Sequence, residues 1–90
     1  MTAPLPLGQV VATPGALKLL GKVREHPFEY LARHATGDWG ELYAFDRRQN
    51  EIALRDGYRV LSSYETTAGR VWIITESDRS VTTILLPEEY

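Results

Sequence analysis

From Tyr58 onward the chain changes its hydrophobic period to two, and this change limits the folds open to it. "YRVLSSYET" alternates Tyr58, Val60, Ser62 and Tyr64 on one face with Arg59, Leu61, Ser63 and Glu65 on the other, the pattern of a half-buried strand. Thr67-Ala68-Gly69 supplies a turn. "RVWIITE" is then apolar on both faces, as a central strand covered on each side must be, and "SDRS" turns the chain into "VTTILL", which Pro87 ends. Three antiparallel strands in a meander are predicted for the carboxyl half.

The first half reads as helices. Thr13 caps a helix that opens on Pro14, with Leu17, Leu20 and Val23 at apolar spacing. Pro27 disfavours helical backbone at His26, so a second helix, "PFEYLARHA", starts there with Phe28, Leu31, Ala32 and Ala35 expected on its inner face. Gly37 suits a left-handed helix end. Asp38 to Glu41 and Asp46 to Gln49 have capping-box spacing, and Gly57 fits the end of "DRRQNEIALRD". Residues 39–56 therefore form one bent helix or two, with Trp39, Leu42, Phe45, Ile52 and Ala53 in an apolar stripe. The expected architecture is α+β: N-terminal helices packed on a C-terminal three-stranded antiparallel meander, a single domain over residues 13–90 behind an extended arm at 1–12.

A chain of 90 residues has a thin core, and with no cysteine it has neither disulfides nor thiolate metal ligands to compensate. That absence and the lack of a basic, apolar leader predict a cytoplasmic protein without a membrane segment. The two histidines, eight positions apart, make no metal-ligand pattern, and the glycines lack the context of a phosphate loop, so neither a metal nor another cofactor is expected. Ten basic against twelve acidic residues count against nonspecific nucleic-acid binding. Arg47, Arg48, Arg55 and Asn50 could form a DNA-reading helix, but Asp46, Glu51 and Asp56 on the same stretch nearly cancel its field, which favours a solvated face.

Two functional readings remain. A metal-independent ribonuclease needs a proton acceptor, a donor and a cation near the phosphate; His34 and Tyr30, one helical turn apart, with Arg59, Ser63, Thr82 and Thr83 on strands, are the candidates. A binding protein would instead use exposed aromatics and polar anchors, for which Trp39, Tyr43, Asp38 and Arg79 are the candidates. The sheet edges, with the last strand blunted by "LLPEEY", admit a homodimer or contact with another protein.

"RHATGDWGEL", "NEIALRDG" and "VLSSYETTAGRVWIITESDRSVTTILLPEEY" resemble a family of small uncharacterised bacterial proteins carried by plasmids, phages and integrative elements, often described as plasmid-related. The resemblance covers about residues 26–90 and excludes the N-terminal arm. It implies one of two tasks: an accessory counter-defence protein that occupies the surface of a host or element-encoded protein, or a toxin-like nuclease. It assigns no catalytic residue. The acidic balance favours the binding task, because an RNA-cleaving site gathers positive charge around the scissile phosphate.

Overall fold

A computed structural model describes residues 4–90. Its elements run β1 (Gln9–Ala12), α1 (Pro14–Leu20), α2 (Pro27–Ala35), α3 (Ala44–Asp56), β2 (Val60–Thr66), β3 (Gly69–Thr75), β4 (Val81–Leu85) and a 3-10 turn at Pro87–Glu89. The fold is α+β, as expected, but the sheet is larger than a meander. Its order is β1-β4-β3-β2, with β2, β3 and β4 antiparallel and β1 parallel to β4. Residues 9–12 of the expected arm are thus extended but paired, Gln9 beside Val81 and Ala12 beside Ile84. Four residues carry too little alternation to announce a strand, and a partner at the far end of the chain leaves no local signal. Leu5 is buried and its N–H meets the Ala35 carbonyl at 2.8 Å, so the segment before β1 is also tied down; residues 1–3 lie outside the described part.

Local chemistry sets several boundaries where expected. Thr13 caps α1 by accepting the Ala16 N–H, and Pro14 takes the first helical position. The helix ends at Leu20, before Val23, with Gly15 in its first turn and Gly21 at its C-cap both lowering its helical propensity. α2 has the predicted limits, and its cap is the His26 ring, whose Nδ1 accepts the Phe28 N–H at 3.1 Å.

Three expectations about the helices are corrected. The buried face of α2 is Tyr30, Leu31 and His34; Phe28 is exposed and stacks on His26. No helix begins at Asp38. Its carboxylate instead pairs with Arg33 at 2.6 Å and accepts the Gly40 N–H, an Asx turn. Residues 39–56 contain one helix only, and Asp46 sits inside its first turn instead of capping it. Gly57 does end α3 in left-handed backbone, with φ of 80°.

Pairing register decides which residues share a face. Val60, Ser62 and Tyr64 align with Val71, Ile73 and Thr75, and these with Thr82 and Ile84. This face receives α1 and α2, whose Ala16, Leu20, Tyr30 and Leu31 pack with Tyr64, Val71, Ile73 and Ile84. The opposite face carries Leu61, Trp72, Ile74 and Leu85, and Tyr90 lies edge-on to Trp72 at 5.7 Å. A second cluster of Leu5, Trp39, Ala53 and Val60 joins α3 to the sheet.

Candidate functional site

His34 is the centre of the polar residues. It is 0% exposed and sits between Ser62 Oγ, 2.5 Å from Nδ1, and Thr75 Oγ1, 2.8 Å from Nε2. Thr75 Oγ1 lies 2.7 Å from Thr82 Oγ1, which donates to the Leu7 carbonyl at 2.7 Å. A hydroxyl has one proton, so this last bond fixes the others. Thr82 gives its proton to the carbonyl and therefore accepts from Thr75; Thr75 must then accept from His34 Nε2–H. The neutral Nε2–H tautomer follows, and Nδ1 accepts the Ser62 proton. The result is a one-directional chain across the sheet from β2 to the segment before β1, with the Trp39 ring edge-on to the imidazole at 6.0 Å. Burial, and secondarily the Arg79 charge, push the His34 pKa down to about 4.

This chain absorbs Thr82, and it recruits Ser62 and Thr75, which sequence reasoning passed over. The signal was present. Both occupy core-facing positions of alternating strands, Ser62 between Val60 and Tyr64 and Thr75 after Val71 and Ile73. A buried hydroxyl at such a position needs a partner.

The remaining ribonuclease candidates do not join it. Tyr30 is buried against Tyr64, ring centroids 5.5 Å apart, and its pKa is raised by burial first and then by Glu25 and Glu29. Ser63 and Thr83 lie on the opposite sheet face, where Ser63 Oγ accepts from Arg70 at 2.7 Å. Arg59 is on that same opposite face, donating to Tyr90 Oη at 3.0 Å and to Glu76 at 3.3 Å. His34 and Arg59 thus stand on opposite sides of the sheet, and no open cleft contains both. Among the described residues no three His, Asp or Glu side chains gather as metal ligands, and no helix is long and apolar enough to cross a membrane.

The binding candidates divide. Trp39 is not a surface ring; it is buried in the second cluster, because Leu5, Ala53 and Val60 arrive from three separate stretches to cover it. Asp38 is half-exposed but held by Arg33, which also lies 4.6 Å from the Tyr64 ring centroid, and the guanidinium keeps the Asp38 pKa below the usual carboxylate range. Tyr43 is 86% exposed and Phe45 is 70% exposed, both at the start of α3. Beside them Glu41, Leu42, Tyr43 and Arg70 line a shallow groove of about 350 Å³.

Arg79 is not free for a partner. Its guanidinium donates to the carbonyls of Tyr58 at 2.6 Å, Ala53 at 3.0 Å and Glu76 at 3.2 Å, so it fastens the end of α3 to the β3–β4 turn. It does so from left-handed backbone, φ 62°, in a turn where glycine or asparagine is the usual occupant. The side chain outweighs the strain. Arg79→Ala is therefore expected to lower unfolding free energy by about 2–3 kcal/mol, and Arg79→Gly by about 1 kcal/mol less, because glycine removes the strain along with the bonds. Urea denaturation of the pair measures both quantities; equal losses would show that the backbone is unstrained.

Behind this turn a cavity of about 550 Å³ is lined by Leu5, Ala35, Trp39, Leu54 and Arg79 among others. It is mainly apolar and its one cation is already committed to carbonyls. The chain matches no family model, no curated protein and no solved structure, so the arrangement of these residues is the ground for any functional reading.

Proposed function

We propose that this chain works by binding another protein, through the aromatic start of α3, as a cytoplasmic accessory of a mobile element that masks a component of host defence. The mobile-element setting comes from the family resemblance; the mode of action is supported by one observation at Tyr43. That residue occupies the N-cap of α3 and makes no side-chain cap bond. Ser, Thr, Asp or Asn there would satisfy an orphan helix N–H and add about 1 kcal/mol. A large ring stands there instead, and Phe45, two residues on, is also in solvent. Giving up a cap to present two rings suits a surface that must be apolar and aromatic for something outside the molecule. The polar candidates Asp38 and Arg79, by contrast, are occupied within the fold.

Tyr43→Ser separates the two roles. The variant is expected to be more stable than the parent, since serine restores the cap, while Tyr43→Ser/Phe45→Ser together weaken capture by roughly 100-fold if both rings are anchors. The measurement is recovery of a host protein on the immobilised chain, followed by titration calorimetry of that purified protein against both forms. Equal affinity for the parent and the double variant sinks the α3 surface. RNA cleavage by the purified chain, abolished by Arg59→Ala, would replace binding with the nuclease reading.

A further inference from the structure

The two edges of the sheet are finished differently. Along β2 the backbone groups facing away from β3 belong to Leu61, Ser63 and Glu65. The Asn50 amide accepts the Leu61 N–H at 3.1 Å and donates to its carbonyl at 2.6 Å. Ser63 donates to the Trp39 carbonyl at 3.0 Å and accepts from the Glu41 N–H at 2.7 Å, and the Glu41 carboxylate accepts the Glu65 N–H at 3.0 Å. This edge is closed by the chain itself.

β1 has no such cover. The N–H groups of Gln9 and Thr13 donate to the Ser80 and Ile84 carbonyls, so by alternation Val10 and Ala12 turn their N–H and C=O groups away from β4. No described residue bonds them. Val10 and Val11 are 43% and 39% exposed, one on each face of the sheet. From Pro4 to Leu17 the sequence has no charged residue, in a chain that is 24% charged. Edges are ordinarily blunted by lysine, proline or a bulge, and this one is not.

We propose that β1 pairs antiparallel with β1 of a second copy about a two-fold axis, joining two sheets into one of twice the width. The last strand, suspected from sequence as the edge, is interior, because β1 lies outside it. In the proposed register Val10 opposes Ala12 of the second copy and Ala12 opposes its Val10, which uses every outward group of the strand, while Val11 meets its own counterpart on the axis. Placing Val10 opposite itself would set Ala12 against Gly8, which leaves the strand with φ of 64°. Shifting the other way sets Val10 against Pro14, which has no N–H and begins α1. The segment is neutral, so like copies approach without repulsion. One open and one closed edge also stop the assembly at two, where two open edges would propagate. A strand from another protein would meet the same backbone, but no charge or pocket along β1 selects one. The proposal is independent of the α3 surface.

Light scattering over a concentration series of the full chain should show the 10.2 kDa mass rising toward twice that value. Val10→Pro removes only an outward N–H, so it should stay at the monomer mass with a melting temperature close to the parent's; Val10→Lys is the alternative if the proline variant melts early. The chain has no cysteine, so Val11→Cys gives it a single thiol. Opposed non-hydrogen-bonded residues have Cα atoms about 4.5 Å apart, within disulfide range, so mild oxidation should link Val11→Cys about tenfold faster than Val10→Cys. A constant monomer mass overturns the proposal. So does dimerisation of both edge variants at the parent's concentration, or equal crosslinking of the two thiols.

Discussion

Replacing His34 with alanine is expected to cost about 3–5 kcal/mol, because it opens a cavity and leaves the Ser62 and Thr75 hydroxyls buried without their partner. Domains of this size are stable by only about 5–15 kcal/mol, so the variant loses a large share of the total. His34→Asn, which can still accept from Ser62, and His34→Gln, which can still donate to Thr75, should each fall between alanine and the parent. The same residue gives the parent a characteristic pH dependence. Its folded-state pKa of about 4 lies below the ordinary 6.5, so between these values the unfolded chain binds the extra proton. Stability is therefore level with respect to this group above pH 6.5, falls as pH drops, and has lost about 3 kcal/mol by pH 4. Carboxylates held down by partners, Asp38 by Arg33 and Glu89 by Thr13, add their losses only at or below about their ordinary values of 3.8 and 4.5. Urea midpoints between pH 7 and pH 4.5 should slope downward in the parent and much less in His34→Gln. An unchanged slope in that variant would remove His34 as its source.

Gly40→Ala is expected to be of similar severity. Gly40 has φ of 73°, and its backbone runs so close to β2 that a Cβ would overlap the Ser63 carbonyl oxygen and approach Tyr64 Cδ1 to 2.7 Å. Neither neighbour can yield: the carbonyl accepts the Glu41 N–H, and the Tyr64 hydroxyl donates to the Asp38 carbonyl at 2.7 Å. We expect a loss of about 3 kcal/mol or more. Gly57→Ala is the control. It has the same hand of backbone, φ 80°, but open space where the Cβ would go, so its cost should be about 1 kcal/mol. The difference between the two midpoints in denaturant isolates the close approach from the dihedral; similar losses would mean the contact contributes nothing.

The sequence was most legible where a signal and its cause lie within a few residues. Thr13-Pro14, Pro27 and Gly57 each act on the adjacent backbone, and α1's start, the limits of α2 and the end of α3 follow. The antiparallel order of β2, β3 and β4 is similarly local, since short turns join them. β1 was hidden because its partner is at the other end of the chain. Asp38 and Glu41 misled because a short carboxylate can cap a helix or close a turn with equal chemistry, and here they serve Gly40 and Glu65. Among candidate site residues, His34 was read as a proton-transfer candidate beside an apolar stripe, whereas it is buried between Ser62 and Thr75, hydroxyls that looked like ordinary strand composition. Trp39 and Arg79 were read as surface groups since much of what holds them is distant in sequence, Leu5, Ala53 and Val60 around Trp39 and the Ala53 and Tyr58 carbonyls for Arg79. Tyr43 alone of the binding candidates is both unpaired in the fold and fully displayed.

The parallel pairing of β1 with β4 has a consequence for synthesis. A ribosome delivers Val10 and Val11 about 70 residues before their neighbours Thr82 and Thr83, so β1 waits, bare, while the helices and the first hairpin emerge. The Leu7 carbonyl likewise has no Thr82 hydroxyl to receive until β4, 75 residues later, has emerged. Pairing of β1 is thus the last step in assembling this sheet, and until β4 emerges the nascent chain holds an uncharged segment in the open.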